Sequence, residues 1–191
     1  EALRDSIMTV SGGIDLTVGG EPIFPFIPEE ILAASQGKGY WDNQPDGPDV
    51  WRRSVYVFRR RSLGFPFFDT FDLPDQNQTA AARNVSTVPT QALTLFNGNF
   101  AIRQANHFAD RLLREAGEVS KDQIDLAWRI ALSRPPTKSE FAAAQKFLTT
   151  QWTELQAENK GAKASTETLY KQALTQLCRV IFNLNEFVYV N

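Results

Sequence analysis

The feature that most restricts the fold of this chain is a series of apolar stripes at helical spacing, which begins near Val88 and runs toward the C terminus. In each stripe an apolar side chain returns every three or four residues, and a glycine, a proline or a polar capping residue marks the boundary. Amphipathic helices of this kind bury their stripes against one another. We therefore predict a mainly α fold with a C-terminal helical bundle of four to five helices.

Two of these helices carry a capping-box pattern at their predicted start. Ser120 with Gln123, supported by the apolar Val119 before them, marks one start, and Thr137 with Glu140 marks the next. In a capping box each side chain bonds the other residue's backbone N–H, which satisfies donors that a helix start otherwise leaves open. Both segments are thus predicted to begin a helix at these residues.

Three further predictions concern single residues or short segments of the same half of the chain. Pro89 suits a first helical turn, and Leu93 and Phe96 behind it are expected to face inward. Cys178 lies on an apolar stripe, so we expect a small buried hydrophobic side chain. Residues 187–190 alternate aromatic rings with valines in the manner of a strand, which predicts a short strand.

Residues 1–87 have a different character. Paired glycines at Gly12 and Gly13 end a short opening helix, and prolines, glycines and aromatic residues dominate afterwards. Ser54–Phe58 is rich in β-branched and aromatic residues, which predicts a short strand, with a helical turn as the alternative. We expect a single domain over residues 1–191, with an irregular half of short strands and loops at 1–87 and a helical half at 88–191. Because the chain opens without Met and already inside a helical pattern, we interpret it as the C-terminal fragment of a larger protein.

Charge and composition exclude several classes of protein. With 20 basic and 22 acidic residues, the chain has no net field that would attract nucleic acid. No apolar run approaches the ~20 residues that span a bilayer, so no membrane span is expected. The lone histidine, His107, cannot build a multi-histidine metal site, and no CxxCH motif attaches haem c to this chain. We therefore expect no cofactor in the chain itself, calcium excepted.

A cluster of arginines among aromatic residues is the strongest candidate for a binding site. Guanidinium groups pair with carboxylate, sulfate or phosphate through two parallel hydrogen bonds, and aromatic faces suit the C–H faces of sugar rings. An acidic or sulfated glycan is therefore one candidate ligand. The alternatives are pairing of the arginines with Asp69, Asp72 and Asp75 inside the fold, and anchoring of the aromatic rings in the core. The candidate ligand-binding residues are Arg52, Arg53, Tyr56, Arg59, Arg83, Gln91, Trp41 and Trp51, with Arg60 and Arg61 in the same cluster.

Asp72, Asp75 and Asn77 form a candidate calcium site. Their side-chain oxygens lie at a spacing that calcium ligands can have, although the loop lacks a bidentate Glu and a mid-loop Gly. Turn formation and helix capping by the same side chains is the alternative.

The residues from Arg52 onward also carry a family resemblance. Residues 52–58 read RRSVYVF, residues 71–75 read FDLPD, and residues 130–137 and 184–190 read IALSRPPT and LNEFVYV. Between them stand Arg83, Thr87, Pro89, Gln91, Ala92, Leu93 and Asn97. This set resembles the planctomycete-specific domain found beside planctomycete cytochrome C domains, a family named as a domain of unknown function. Its polar members could line a site, or they could lock the irregular segment onto the helices through hydrogen bonds.

The resemblance implies a setting for the chain, although it implies no reaction. Proteins of this kind pair the domain with haem-bearing regions, which implies export to the periplasm or cell envelope, haem c in an upstream domain, and other domains of the same polypeptide as partners. One hypothesis is a non-catalytic binding or assembly module. The other is part of an enzyme that acts on anionic polysaccharide. The enzyme would use Arg52, Arg53 and Arg83 together with Asp69, Asp72 and Asp75.

Overall fold

A computed structural model describes residues 1–34, 41–74, 79, 81–82, 86–159 and 164–189 of the chain. These residues form nine α-helices and no β-sheet, which confirms the predicted mainly α fold. None of the helices they form is long and apolar enough to cross a membrane. The chain divides into two compact units, of which the first comprises Glu1–Thr9 and Gly13–Thr94 and the second Val10–Gly12 and Leu95–Asn191.

The first unit holds short helices separated by long irregular segments. Helix α1 (Ala2–Ser11) ends where Gly12 adopts a φ of 83° and the N–H of Gly13 donates to the carbonyl of Met8. Because glycine adopts this left-handed conformation without steric cost, the paired glycines stop the helix as predicted. The later helices are α2 (Glu29–Ala34), α3 (Pro66–Thr70) and α4 (Pro89–Asn97), of which α4 begins in this unit and ends in the second, with 3-10 helices at Pro48–Val50 and Ser54–Tyr56.

The short strand predicted at Ser54–Phe58 is wrong, because this segment opens with a 3-10 turn and the described residues contain isolated bridges in place of a ladder. The N–H of Ile23 donates to the carbonyl of Tyr56 at 2.8 Å, and its carbonyl accepts from the N–H of Phe58 at 2.9 Å. A proline directly before Ile23 and another two residues after it have no N–H to donate, so this pairing cannot extend. The alternative of a helical turn is confirmed.

Helix α4 begins at Pro89 as predicted, but it turns a different face inward. Leu93 and Phe96 are 57% and 43% exposed, whereas Gln91 and Leu95 are buried. Gln91 and Leu95 are one helical turn apart and therefore share a face. The apolar spacing indicated the wrong face because a glutamine, rather than an apolar residue, occupies the inner position.

The second unit is a bundle of longer helices, as predicted for the C-terminal half. Its two most closely packed helices bring the rings of Phe108 and Phe182 together, with centroids 5.9 Å apart. Cys178 is fully buried in the same core, and this burial raises the pKa of its thiol, so the expectation for this residue is confirmed. The helices are α5 (Asn99–Ala116), α6 (Ser120–Leu132), α7 (Lys138–Glu158), α8 (Thr166–Phe182) and α9 (Asn185–Val188).

The strand predicted at 187–190 is wrong over the residues that the structure describes there. Asn185–Val188 is the short helix α9, and the N–H of Phe187 donates to the carbonyl of Leu184 at 2.9 Å. The Phe187 ring is buried 5.4 Å from the ring of Phe182. One helical turn buries this ring against the bundle core. This burial favours the helix over the strand that the alternating pattern of so short a segment predicts.

Only one of the two predicted capping boxes forms. At the start of α7, Glu140 N–H donates to Thr137 Oγ1 at 3.2 Å and Thr137 N–H donates to Glu140 Oε2 at 2.7 Å, which confirms that capping box. Helix α6 instead begins at Ser120 with no side-chain cap. The Gln123 side chain is buried and donates to the carbonyl of Gly117 at 2.5 Å, so it does not reach back to the helix start.

An ion network connects the start of α7 with α9 in the second unit. Arg134 donates to both carboxylate oxygens of Glu140, at 2.9 and 2.7 Å, and to those of Glu186, at 2.7 and 2.5 Å. These hydrogen bonds lower the pKa of both carboxyl groups and raise the pKa of the Arg134 guanidinium.

Candidate functional site

Arg52, a predicted ligand group, is bonded into the fold of the first unit. Its guanidinium donates to the carbonyls of Glu21 at 2.7 Å, Thr17 at 3.3 Å and Gly19. The same group lies 3.9 Å from the ring centre of Tyr56, whose hydroxyl accepts a hydrogen bond from the Gly19 N–H at 2.7 Å. Both candidate side chains therefore hold the turn at Gly19 in place.

Arg4 is a structural residue that sequence reasoning missed. Its side chain is 2% exposed, and it donates to the carbonyls of Val50 at 2.7 Å and Arg52 at 3.0 Å. Burial is the largest influence on the guanidinium and lowers its pKa to about 10. The available signal was the position of Arg4 three residues before the buried Ile7, on the apolar face of α1.

The two candidate tryptophans hold loops of the first unit. Trp41 is buried, and its Nε1 donates to the carbonyl of Pro25 at 3.1 Å. Trp51 is half-buried, and its Nε1 donates to the Asp46 carboxylate at 3.1 Å. Its ring lies so close to Gly13 that a Cβ there would stand 2.8 Å from Cε3 of the ring. These contacts favour the alternative of loop-anchoring aromatic residues.

Gln91 joins a hydrogen-bond network with Asp72. Its Nε2 donates to the carbonyl of Thr70 at 3.1 Å and to Ser86 Oγ at 3.3 Å. Ser86 donates in turn to Oδ2 of Asp72, from its N–H at 2.8 Å and from its hydroxyl at 2.7 Å. These bonds lower the pKa of Asp72, whose backbone has a φ of 55°. Gln91 and Asp72 thus tie the start of α4 to the segment that follows α3.

Three predicted site residues, Arg83, Asp75 and Asn77, lie outside the described residues. Asp72, which completes the calcium candidate, uses Oδ2 to accept from Ser86. Within the described ranges, no group of three or more His, Cys, Asp or Glu side chains is arranged to hold a metal ion. The calcium site therefore stays a prediction.

A concave pocket of about 270 Å³ lies at the C-terminal part of the arginine cluster, and we call it the arginine pocket. A tight turn is part of its lining, because the N–H of Leu63 donates to the carbonyl of Arg60 at 3.3 Å. This turn places Arg59–Arg61 along one side of the pocket. Helix α3 then begins at Pro66, where its missing N–H costs nothing, and carries Asp69 along the pocket wall.

Aromatic rings support the walls of the arginine pocket. Phe58, Phe65 and Phe68 line it, and the rings of Phe65 and Phe68 meet edge to face with centroids 5.0 Å apart. Behind them, Phe24 packs on Phe58 at 4.9 Å and Trp41 stacks on Phe65 at 6.4 Å. The candidate Trp41 therefore contributes to the pocket as support for its wall. Interlocked rings of this kind give the pocket a defined shape.

Asp69 brings a carboxylate to the same pocket. Its carboxylate lies directly over Gly64, where a Cβ would stand 2.6 Å from Cγ of Asp69. The residue as a whole is exposed, but the approach of the chain desolvates the carboxylate and raises the pKa of Asp69. Among the described residues, the ion-pair partner of Arg59 is Glu1, whereas Asp69 pairs with no arginine.

The fold therefore divides the predicted arginine cluster. Arg59, Arg60 and Arg61 line the pocket, Arg52 supports the turn at Gly19, and Arg53 is exposed outside the pocket. Of the predicted ligand-binding residues that the structure describes, Arg59 alone lines the pocket, with Trp41 behind its wall. Sequence reasoning did not find the phenylalanine wall as part of a site. The signal for it was the dense run of phenylalanines that follows the arginines.

The fold and the pocket together define a mainly α domain with a basic, aromatic-walled cavity. Over residues 1–148 its sequence matches the model of the family PSD1, described as a protein of unknown function (DUF1553). This match covers more than half of the 191 residues, so the chain belongs to the planctomycete cytochrome C-associated domain family, as the resemblance predicted. The match includes the arginine pocket and ends inside α7. No curated protein and no solved structure matches the chain.

Proposed function

We propose that this domain is a non-catalytic binding module, and that the arginine pocket takes an anionic ligand of the size of a single sugar ring. The observation that carries the proposal is the placement of three consecutive arginines, Arg59–Arg61, along a concave pocket with a phenylalanine wall. The pocket volume of about 270 Å³ suits one small ring better than an extended ligand.

The chemistry of the lining supports an anion that carries a ring. Guanidinium groups bind carboxylate, sulfate and phosphate oxygens with charge-assisted hydrogen bonds, while phenyl faces accept the C–H side of a sugar. The pairing of Arg59 with Glu1 lies at the surface, where ion pairs contribute little free energy and exchange readily for a ligand. An acidic unit of a glycan satisfies both parts of the lining.

The family supports a setting outside the cytoplasm. We propose that the parent protein is exported to the periplasm or cell envelope, and that its other domains are partners of this one, with haem c in an upstream domain. In that setting the module would hold an anionic polymer beside the other domains of the polypeptide, which is the assembly role of the first hypothesis.

A second candidate function is part of an enzyme that acts on anionic polysaccharide. The observation that favours it is Asp69, whose carboxyl has a raised pKa within the arginine pocket and could deliver a proton to a leaving oxygen. The other described carboxyl of this hypothesis, Asp72, is bonded to Ser86. Within the described part of the chain, the enzyme thus depends on one carboxyl group, whereas binding depends only on the charge and shape of the pocket.

The test is isothermal titration of the full 191-residue chain with oligogalacturonate and, separately, with a neutral dextran oligomer of equal length. We expect binding of the acidic oligomer alone, weakened at least about tenfold in the double variant Arg60→Ala with Arg61→Ala, because each lost charged hydrogen bond contributes about 1.5 to 3 kcal/mol. The matched control is Arg53→Ala with Arg114→Ala, which removes the same charge from exposed positions outside the pocket.

Equal weakening in the two double variants would reduce the effect to net charge and overturn the proposed pocket. Absence of binding to any acidic oligomer would overturn the binding function itself. If the wild-type protein produces new reducing ends and Asp69→Asn does not, the enzyme hypothesis would replace that of a binding module.

A further inference from the structure

The Asp69 carboxylate is a negative group within a pocket whose other described charged groups, Arg59–Arg61, are positive. Helix α3 carries no other titratable side chain, and the described residues that line the pocket after it, Leu73 and Pro74, are uncharged. Among the described residues, an anion that enters the arginine pocket therefore meets the side chains of Arg59–Arg61 and the Asp69 carboxylate.

The repulsion between a carboxylate and a neighbouring bound anion must be offset by a hydrogen bond to the carboxylate. An ionised carboxylate only accepts hydrogen bonds, so a neighbouring ligand group has to donate to it. An anion without a donor repels Asp69 and removes the water that solvated it, which leaves the carboxylate without partners at a cost in affinity. A hydroxyl group next to the acidic group of the ligand supplies the missing donor.

We propose that Asp69 makes the arginine pocket selective for hydroxy acids, in which a hydroxyl group stands close to the anionic group, over anions of the same size that carry no hydroxyl. This selectivity rests on the proposed binding function and names its ligand class more closely. Sugar acids are the ring-shaped members of that class. The arginines bind the acid, and Asp69 accepts a hydrogen bond from the hydroxyl.

The position of the Asp69 carboxylate over Gly64 provides an independent way to test this role. A Cβ at residue 64 would overlap the carboxylate, and the short Asp69 side chain would have to rotate away from it. Gly64→Ala therefore displaces the carboxylate while keeping its charge, whereas Asp69→Asn removes the charge while keeping its shape.

The experiment compares D-glucuronate with cyclohexanecarboxylate, since both are six-membered rings with one carboxylate and only the first has hydroxyl groups. Isothermal titration at pH 7 with the full chain is expected to show glucuronate binding about tenfold more tightly. In Asp69→Asn the ratio should fall below about threefold, mainly because cyclohexanecarboxylate binds better once the like charge is gone. Gly64→Ala should lower the ratio in the same direction, and the exposed control Asp42→Asn should keep the wild-type ratio.

The pH dependence provides a second readout. Because desolvation raises the pKa of Asp69, the group becomes neutral at a higher pH than an ordinary aspartate. A neutral carboxyl can donate to either ligand. Because the ligands also lose their own charge in the acid range, the readout is the difference in ligand preference between wild type and Asp69→Asn at each pH, and this difference should shrink as the pH falls toward the carboxyl range.

The outcomes separate the two proposals. If both ligands bind wild type and their ratio is unchanged in Asp69→Asn and Gly64→Ala, the role of Asp69 is overturned while the binding function stands. If neither ligand nor the acidic oligomer binds wild type, the binding function fails and the selectivity with it. Near-ultraviolet circular dichroism of each variant establishes that the aromatic pocket wall is intact.

Discussion

The two units of this chain are stabilised by different means. In the second unit, apolar side chains such as Phe108 and Leu174 fill the interior, and most backbone hydrogen bonds stay within the helices. In the first unit, side chains of Arg4, Arg52 and Gln91 donate to backbone carbonyls of irregular segments. A helix satisfies its own backbone, whereas an irregular segment depends on donors from elsewhere. The first unit should therefore be sensitive to the chemistry of a few residues, and the second to the volume of its core.

The largest expected effect comes from Arg4→Met, which roughly preserves side-chain volume and removes every donor. We expect the free energy of unfolding to fall by about 3 to 5 kcal/mol, because the buried carbonyls of Val50 and Arg52 lose their partner. Urea denaturation followed by tryptophan fluorescence measures this in a Trp128→Phe and Trp152→Phe background, in which Trp41 and Trp51 of the first unit carry the signal. The exposed Arg53→Met should change stability by less than about 0.5 kcal/mol. Similar losses in both variants would refute the distinction.

The matching test in the second unit uses Leu174, which is fully buried. Leu174→Ala should cost about 2 to 5 kcal/mol through the cavity that it leaves, whereas Leu174→Met should cost less than about 1.5 kcal/mol because it conserves volume. Circular dichroism at 222 nm during urea denaturation follows the helical unit. If the methionine variant lost as much stability as Arg4→Met, the two units would not differ in the way described.

A smaller effect distinguishes two helix starts within the second unit. Thr137→Ala removes a capping box and should cost about 1 kcal/mol. Ser120→Ala should cost less than about 0.5 kcal/mol, because Ser120 lies inside α6 and caps nothing. Thermal unfolding of the two variants side by side measures the difference. An equal loss of stability in the two variants would contradict this difference and would support the two capping boxes that the sequence predicted.

The smallest expected effect is the pH dependence of the stability that the ion network contributes to the second unit. The pKa of Glu186 is lowered by its hydrogen bonds to Arg134, so its contribution is complete above the unfolded value of about 4.3 and is lost as the pH falls through the lowered value. The Tm of Glu186→Gln should lie below that of wild type at pH 7 and approach it as the pH falls through the lowered pKa of Glu186. The exposed control Glu118→Gln should follow wild type throughout. A difference in Tm that stayed constant across the acid range would exclude the ion pair as its source.

The helical half was predictable because its apolar residues recur at helical spacing. The glycines and the Thr137 capping box marked the helix boundaries, and an apolar stripe identified Cys178 as buried. Prediction failed where a buried polar side chain made contacts that the spacing of apolar residues did not indicate. Gln91 took the inner position of α4, and Gln123 bonded Gly117 in place of the helix start.

The candidate site was predictable in composition more than in arrangement. The arginines and phenylalanines of the pocket stand close together in the sequence, so their chemistry was visible. Which arginine serves the fold and which lines the pocket depends on the turn at Arg60 and on the carbonyls around Gly19. Those are contacts between residues far apart in the chain or set by backbone turns, and no local pattern specifies them.

The contact between Gly64 and Asp69 also restricts how this family can change over time. A side chain at position 64 occupies the space of the Asp69 carboxylate, so the two positions should be inherited as a pair. A relative with alanine or serine at 64 should carry a shorter or differently placed residue at 69, and the order of substitution should favour the change at 69 first. Aspartate at 69 thus implies, in a relative's sequence, that position 64 is still glycine.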